Sequence, residues 1–198
     1  MTPDTILQSH RPRLHEPGAS RYALQVGDID VLVISDGVLP IPAHVLAHNV
    51  APDVLDTWLD EQFLPQGVAE WPLNVLVVRS GEQTILVDAG LGMDPNLKLE
   101  KAGRLVQRLE AAGIPLDSIT DVVITHMHMD HIGGLPYIIP QIKGRTPIPI
   151  YGPALALGFI ENKLNEHRLM EFVDLRPVSA GERVRLGQLT AEFIHVTH

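Results

Sequence analysis

Asp121-Val122-Val123-Ile124-Thr125-His126-Met127-His128-Met129-Asp130-His131-Ile132-Gly133-Gly134 is the stretch on which the reading of this chain turns. A short apolar run leads straight into three histidines and an aspartate packed into six residues. The run has the composition of a buried strand, and a strand sets positions i and i+2 on the same side. His126 and His128 are therefore placed to bind one cation together. A turn after them carries Asp130 and His131 to a second position a few ångströms away. Neutral imidazole suits Zn²⁺, Fe²⁺ or Mn²⁺, and the added carboxylate favours a harder or borderline ion. Three imidazoles side by side repel one another once protonated, so the arrangement has little structural use without a cation. Gly133-Gly134 lets the backbone turn tightly beneath such a site. The chain has no cysteine. Disulfides, a thiolate nucleophile and Cys-ligated metals are thereby excluded, and any metal is held by nitrogen and oxygen.

Working outward, the pattern is α/β throughout. Residues 1–20 read as an irregular arm and residues 21–198 as one domain. Tyr22–Ser35 predicts a hairpin around Gly27-Asp28, broken afterwards by Pro40 and Pro42, with a short helix over Val54–Phe63. Val75–Val78 and Thr84–Val87 predict a second hairpin around 80–83. Apolar positions in Leu97–Ala112 recur at spacings of three and four, which predicts a helix closed by Gly113 and Pro115. Strand, helix, strand in that order implies a crossover and parallel pairing. Ile148–Tyr151 reads as a strand, Pro153–His167 as a helix, and Arg183–Leu186 with Leu189–Val196 as a third hairpin.

The His-x-His-x-Asp-His motif, with its apolar strand before and Gly-Gly after, resembles the metallo-β-lactamase superfamily. Leu86-Val87-Asp88-Ala89-Gly90 resembles the strand-terminal Asp-x-Gly of that family. Residues 22–135 are similar to its lactonase and methyl-parathion-hydrolase-like branch, through Ile34-Ser35-Asp36-Gly37, Asn74–Val78, Val87–Gly92 and Ala112–Ile114. Residues 133–198 resemble ribonuclease J, through Gly133–Tyr137, Pro149–Gly152, Ile160–Leu164 and Glu192–His198, as in a composite or truncated chain. The resemblance implies an αββα sandwich of which this chain carries the N-terminal half to two-thirds, cut short on its C-terminal side. It implies that His126, His128 and His198 hold one divalent ion and Asp130 and His131 another, with zinc first and Mn²⁺ or Fe²⁺ also compatible. Asp130 also orients the nucleophile, and Asp88 supports the ligands without binding metal itself. A carboxylate that accepts the free N–H of a ligating imidazole does orient that ring. His195 and the scattered His10, His15, His44, His48 and His167 are given no role.

The activity implied is hydrolysis of an ester, lactone or phosphotriester by a metal-bound hydroxide. Ribonuclease J-like cleavage of RNA is the alternative within the class. A truncated metal-binding scaffold without turnover is the alternative outside it. Charge separates the first two. Residues 1–132 carry 8 Lys/Arg against 18 Asp/Glu, and residues 133–198 carry 7 against 6. An acidic surface disfavours gripping nucleic acid and favours a small neutral substrate. No apolar run is long enough to span a membrane, and the N-terminus lacks the apolar core of a secretory signal, so a cytoplasmic location is expected. A sandwich lacking its second half would expose one sheet face, and self-association is the expected consequence.

Overall fold

The computed structural model describes residues 20–93, 99–142 and 147–194. The first two hairpins form where they are read. β1 (Arg21–Val26) and β2 (Ile29–Pro42) turn at Gly27-Asp28, and β3 (Val68–Ser80) and β4 (Gln83–Val87) turn at Gly81-Glu82. β5 (Asp121–Val123), β6 (Ile148–Gly152) and β7 (Val173–Pro177) complete one seven-stranded sheet in the order β1-β2-β3-β4-β5-β6-β7. Pairing is antiparallel from β1 to β4 and parallel from β4 to β7, as the crossover requires.

Three local expectations are corrected. Pro40 does not break β2, which stays paired with β3 as far as Pro42↔Val68, its last residue being the second proline. The N–H of Val38, two residues before Pro40, bonds the carbonyl of Lys101 rather than β3. Alternate positions share an edge, so both prolines lack only outward-facing N–H groups, which that edge can spare. Of the helix read over Leu97–Ala112, residues 97 and 98 lie outside the described residues, and within the rest the helix is α3, Leu105–Ala111. Its start is set by Asp36, whose main-chain and side-chain oxygens accept the N–H groups of Arg104 and Leu105. A tertiary anchor thus overrides a helical period at residues 99–104. β7 is a strand that the sequence reading does not contain, because two of the five residues in Val173-Asp174-Leu175-Arg176-Pro177 are charged. As an edge strand it tolerates both its charges and its terminal proline.

Beyond Leu76↔Val87, where β4 ends, β2 and β3 run on together as a two-stranded arm. The overhang of Val68–Val75 is about 26 Å at ~3.3 Å per residue. The arm carries α1 (Ala43–Leu46) and α2 (Pro52–Glu61), which close a small core of Ala43, Leu55 and Leu59.

The helices α3, α5 (Leu135–Ile138) and α6 (Ala154–Glu166) cover one sheet face. There Ile34, Val75, Leu86, Val122 and Ile150 are essentially unexposed. Over β4–β6 the opposite face is covered by a separate hairpin, β8 (Arg183–Leu186) and β9 (Leu189–Glu192), which lays Val184, Leu186 and Ala191 against Ile85, Val123 and Tyr151. Over β1–β3 the same face is open: Tyr22 is 67% exposed, Leu24 37% and Leu76 36%. The layering is helices, large sheet, then a second sheet that is only a hairpin among the described residues.

Candidate metal centre

β4 and β5 lie side by side in parallel with Val87 beside Val123, so the chain leaves both strands at the same level. The loops that follow, which begin with Asp88 and with Ile124-Thr125-His126, are thereby brought together. Functional groups in parallel sheets collect at such carboxyl ends. Asp88 is buried and adopts a left-handed backbone with φ +65°. Aspartate tolerates that region better than most residues, at a cost of about 1–2 kcal/mol. The bend is held by two main-chain bonds, Asp88 N–H to the Val123 carbonyl and Ala89 N–H to the His131 carbonyl, at 2.8 and 2.7 Å.

The Asp88 carboxylate is the hub. Its Oδ1 accepts the Thr125 N–H at 2.9 Å, the Thr125 hydroxyl lies 2.9–3.0 Å from both oxygens, and Oδ2 is 2.7 Å from His131 Nδ1. Thr125 Oγ1 also stands 3.0 Å from His126 Nδ1. With Nδ1–H of His126 donated to Thr125 and Nδ1–H of His131 donated to Asp88, each ring presents Nε2 outward as an acceptor. His126 Nε2 then faces His128 Nδ1 at 3.1 Å, and His131 Nε2 faces Asp130 Oδ2 at 3.4 Å. The His126 ring centroid lies 4.6 Å from that of His128 and 3.9 Å from that of His131.

All four residues of the motif belong to the loop and to α4 (Met129–Ile132), a single turn opened by the His128 carbonyl accepting the N–H groups of His131 and Ile132. Gly133 and Gly134 follow with ordinary helical backbone angles. Their need for glycine is one of space. A Cβ on either would collide with the carbonyl oxygen of Leu91 or Ala89, because the two loops press backbone to backbone there.

Electrostatics treat the two imidazoles differently. Burial, then the neighbouring His131 and His128, hold His126 below its ordinary pKa and so keep its ring neutral. Burial works against protonated His131 too, but the bond to Asp88 and the charges of Asp88 and Asp130 outweigh it and raise that pKa. Two nitrogens on one tetrahedral zinc, each at about 2.0–2.1 Å, stand about 3.3 Å apart. The 3.1 and 3.4 Å spacings fit a divalent cation two donors at a time. Among the described residues no three His, Asp or Glu side chains converge on one point. His198, the third donor expected for the first pair, lies outside the described residues.

Two residues with a part in this arrangement had no assigned role. Thr125 bridges Asp88 to His126; a hydroxyl directly before the first histidine was its signal. Asp36 is fully buried and accepts the N–H groups of Leu91 and Leu105 at 2.8 Å each. Burial pushes its carboxyl above the usual range, although these backbone donors pull it down. An aspartate closing an apolar run and followed by glycine was the only trace of it.

The sequence profile of the Metallo-beta-lactamase superfamily matches residues 68–197. Ribonuclease J of Thermus thermophilus is 33% identical over 135 residues, which cover 67% of this chain and 23% of that protein. Among solved structures, AidC, a dizinc quorum-quenching lactonase in complex with a product, superposes with a TM-score of 0.64 at 18% identity, covering 86% of this chain and 72% of that one. A flavo di-iron protein of Thermotoga maritima gives 0.51 at 18% identity, over 86% of this chain and 35% of that one. The chain thus spans under a quarter of the Thermus relative's length.

Proposed function

The chain belongs to the metallo-β-lactamase superfamily, and from that premise we propose that it serves a metal-dependent hydrolase acting on a small, neutral, largely apolar ester or lactone. The observation that carries this reading is a cavity of about 590 Å³ beside His126. Thr125, His126, Val123, Val178 and Phe193 are among its lining, and among the described residues its one charged side chain is Glu192. Pockets of roughly 300–1,000 Å³ accommodate small organic ligands. Among the described residues that lining offers one carboxylate, itself paired with Arg183, and no cationic side chain, which suits an uncharged group better than a phosphodiester.

The surroundings point the same way. From residue 22 to residue 78 the sequence contains no lysine or arginine. The arm exposes Trp58, Phe63 and Trp71. A polyanion is repelled there, since nucleic-acid affinity comes mainly from Lys/Arg neutralising phosphates.

In this reading His126 and His128 hold one cation and His131 with Asp130 a second, with further donors from outside the described residues. A bound divalent cation supplies positive charge that lowers the pKa of water and offsets negative charge developing on the substrate. Asp130, half-buried with a carboxylate oxygen beside His131, orients the attacking water by accepting its hydrogen bond. Asp88 and Thr125 keep both imidazoles in the tautomer that turns Nε2 outward.

Cleavage of RNA is the second reading, favoured by the identity to ribonuclease J. The test takes metal content by elemental analysis, then hydrolysis of p-nitrophenyl esters and of a labelled RNA. Ester turnover that chelator abolishes is expected. RNA cleavage in preference to esters overturns the substrate class, and bound metal with neither activity identifies a scaffold without turnover.

A further inference from the structure

We infer that Asp36 is a positioning residue for the histidine cluster, acting through the Asp88 loop although it touches none of the histidines. The inference rests on the reading of that cluster as a metal seat only for its consequence in metal binding; the geometry stands without it.

A fully buried carboxylate is expensive and persists where its hydrogen bonds place something. Asp36 divides its two oxygens between two elements. Oδ2 accepts from Leu91, three residues after Asp88, and Oδ1 accepts from Leu105 at the start of α3. The loop is therefore tied to the helix layer through one side chain. The contact is close: a Cβ on Gly90 would lie 2.8 Å from Asp36 Cγ, and Gly90 itself has φ +69°. Only glycine meets both conditions.

The other side of the loop bears on the site. The Ala89 N–H donates to the His131 carbonyl at 2.7 Å, and the Gly90 carbonyl accepts from Gly134 at 3.0 Å. Residues 89–91 are held between Asp36 on one side and α4 with its glycines on the other. The height at which Asp36 clamps Leu91 sets where Asp88 stands, and Asp88 in turn holds Thr125 and His131. The left-handed Asp88 backbone persists only while its surroundings over-determine it, which makes the loop sensitive to loss of either support.

Asp36→Asn tests this, since the amide must offer a donor where one backbone N–H now donates. Leu109→Ala is the reference: Leu109 is unexposed in α3, outside the 88–91 loop and without a part in the Asp36 hydrogen bonds, and its loss weakens the fold. Amide hydrogen exchange at Ala89 and Thr125 reads loop position without metal. Cobalt titration, followed by its d–d absorption spectrum, reads the consequence.

In Asp36→Asn, protection at Ala89 and Thr125, corrected for global stability, is expected to fall by about tenfold or more relative to Leu109→Ala. Cobalt affinity is expected to fall about 10–100-fold with an altered spectrum. Equal protection and equal cobalt binding in the two variants would overturn the inference and leave Asp36 a purely structural residue. If Asp36→Asn does not fold, Asp36→Ser, which keeps one acceptor oxygen, is read in the same way. If the unaltered protein takes up no cobalt, the metal reading fails, and the exchange data alone decide on Asp36.

Discussion

The helix-covered face of the sheet and the loops at the carboxyl ends of β4 and β5 are held by different forces. On the helix face Leu86, Leu109, Val122 and Ile160 are unexposed and apolar, and cohesion there comes from area removed from water. In the loops, order comes from two buried carboxylates, Asp36 and Asp88, and the N–H and hydroxyl groups they accept from. Net stabilisation per hydrogen bond is small, about 0.5–1.5 kcal/mol, but each bond is directional. Packing therefore sustains the fold, while the carboxylates place the histidines. Stability and site geometry should be separable by mutation.

The largest expected effect is on the packed side. Leu86→Ala should cost about 2–5 kcal/mol in urea unfolding while leaving the zinc dissociation constant of the folded protein unchanged within about twofold. A parallel collapse of zinc affinity would erase the distinction between the two regions. Next comes the cation. At a free concentration of 100 times its Kd, zinc should add about 2.7 kcal/mol to the unfolding free energy. An unchanged thermal midpoint with and without chelator, together with no metal by elemental analysis, would sink the metal reading.

Asp88→Ala should weaken zinc retention by about 10–100-fold, because an outer partner of a ligating imidazole is removed. Equal dissociation constants in variant and unaltered protein would show that Asp88 does no more than end β4. A subtler test is pH. His131 titrates above its ordinary value of 6.5, so the fold favours its protonated form. That contribution is complete below about 6.5 and fades as pH rises through the higher folded value. In metal-free protein the stability gap between the unaltered chain and Asp88→Asn should thus be wider at pH 6 than at pH 9. A gap that widens with pH reverses the assigned sign.

The smallest effect is expected on the open part of the opposite face. Tyr22→Ser should change stability by much less, about 0.5 kcal/mol, as at other exposed sites. It should also reduce any concentration-dependent light scattering, since exposed apolar surface promotes association. A penalty approaching that of Leu86→Ala would show that this face is buried in the folded protein.

Most of the sheet was legible because its signals are local. Glycine turns flanked by β-branched runs specify hairpins, and the β4–α3–β5 order requires a crossover whatever the packing. The histidine spacing was legible for the same reason: i and i+2 share a side on any strand end. The sequence by itself therefore determined the hairpins, the parallel β4–β5 pair and the association of His126 with His128. Tertiary structure alone decided where α3 begins, that Pro40 and Pro42 remain in a strand, and that 173–177 is a strand at all. Each depends on a partner far along the chain: Asp36 for the helix, Lys101 for the outer edge of β2, β6 for β7. The same holds for the meeting of Asp88 with His131, 43 residues apart, because strand pairing set two loops at one level and a hydrogen bond then closed between them. Periodicity and spacing encode what a segment does with its own neighbours. Which distant groups it meets is set by register and by the need of every buried polar group for a partner.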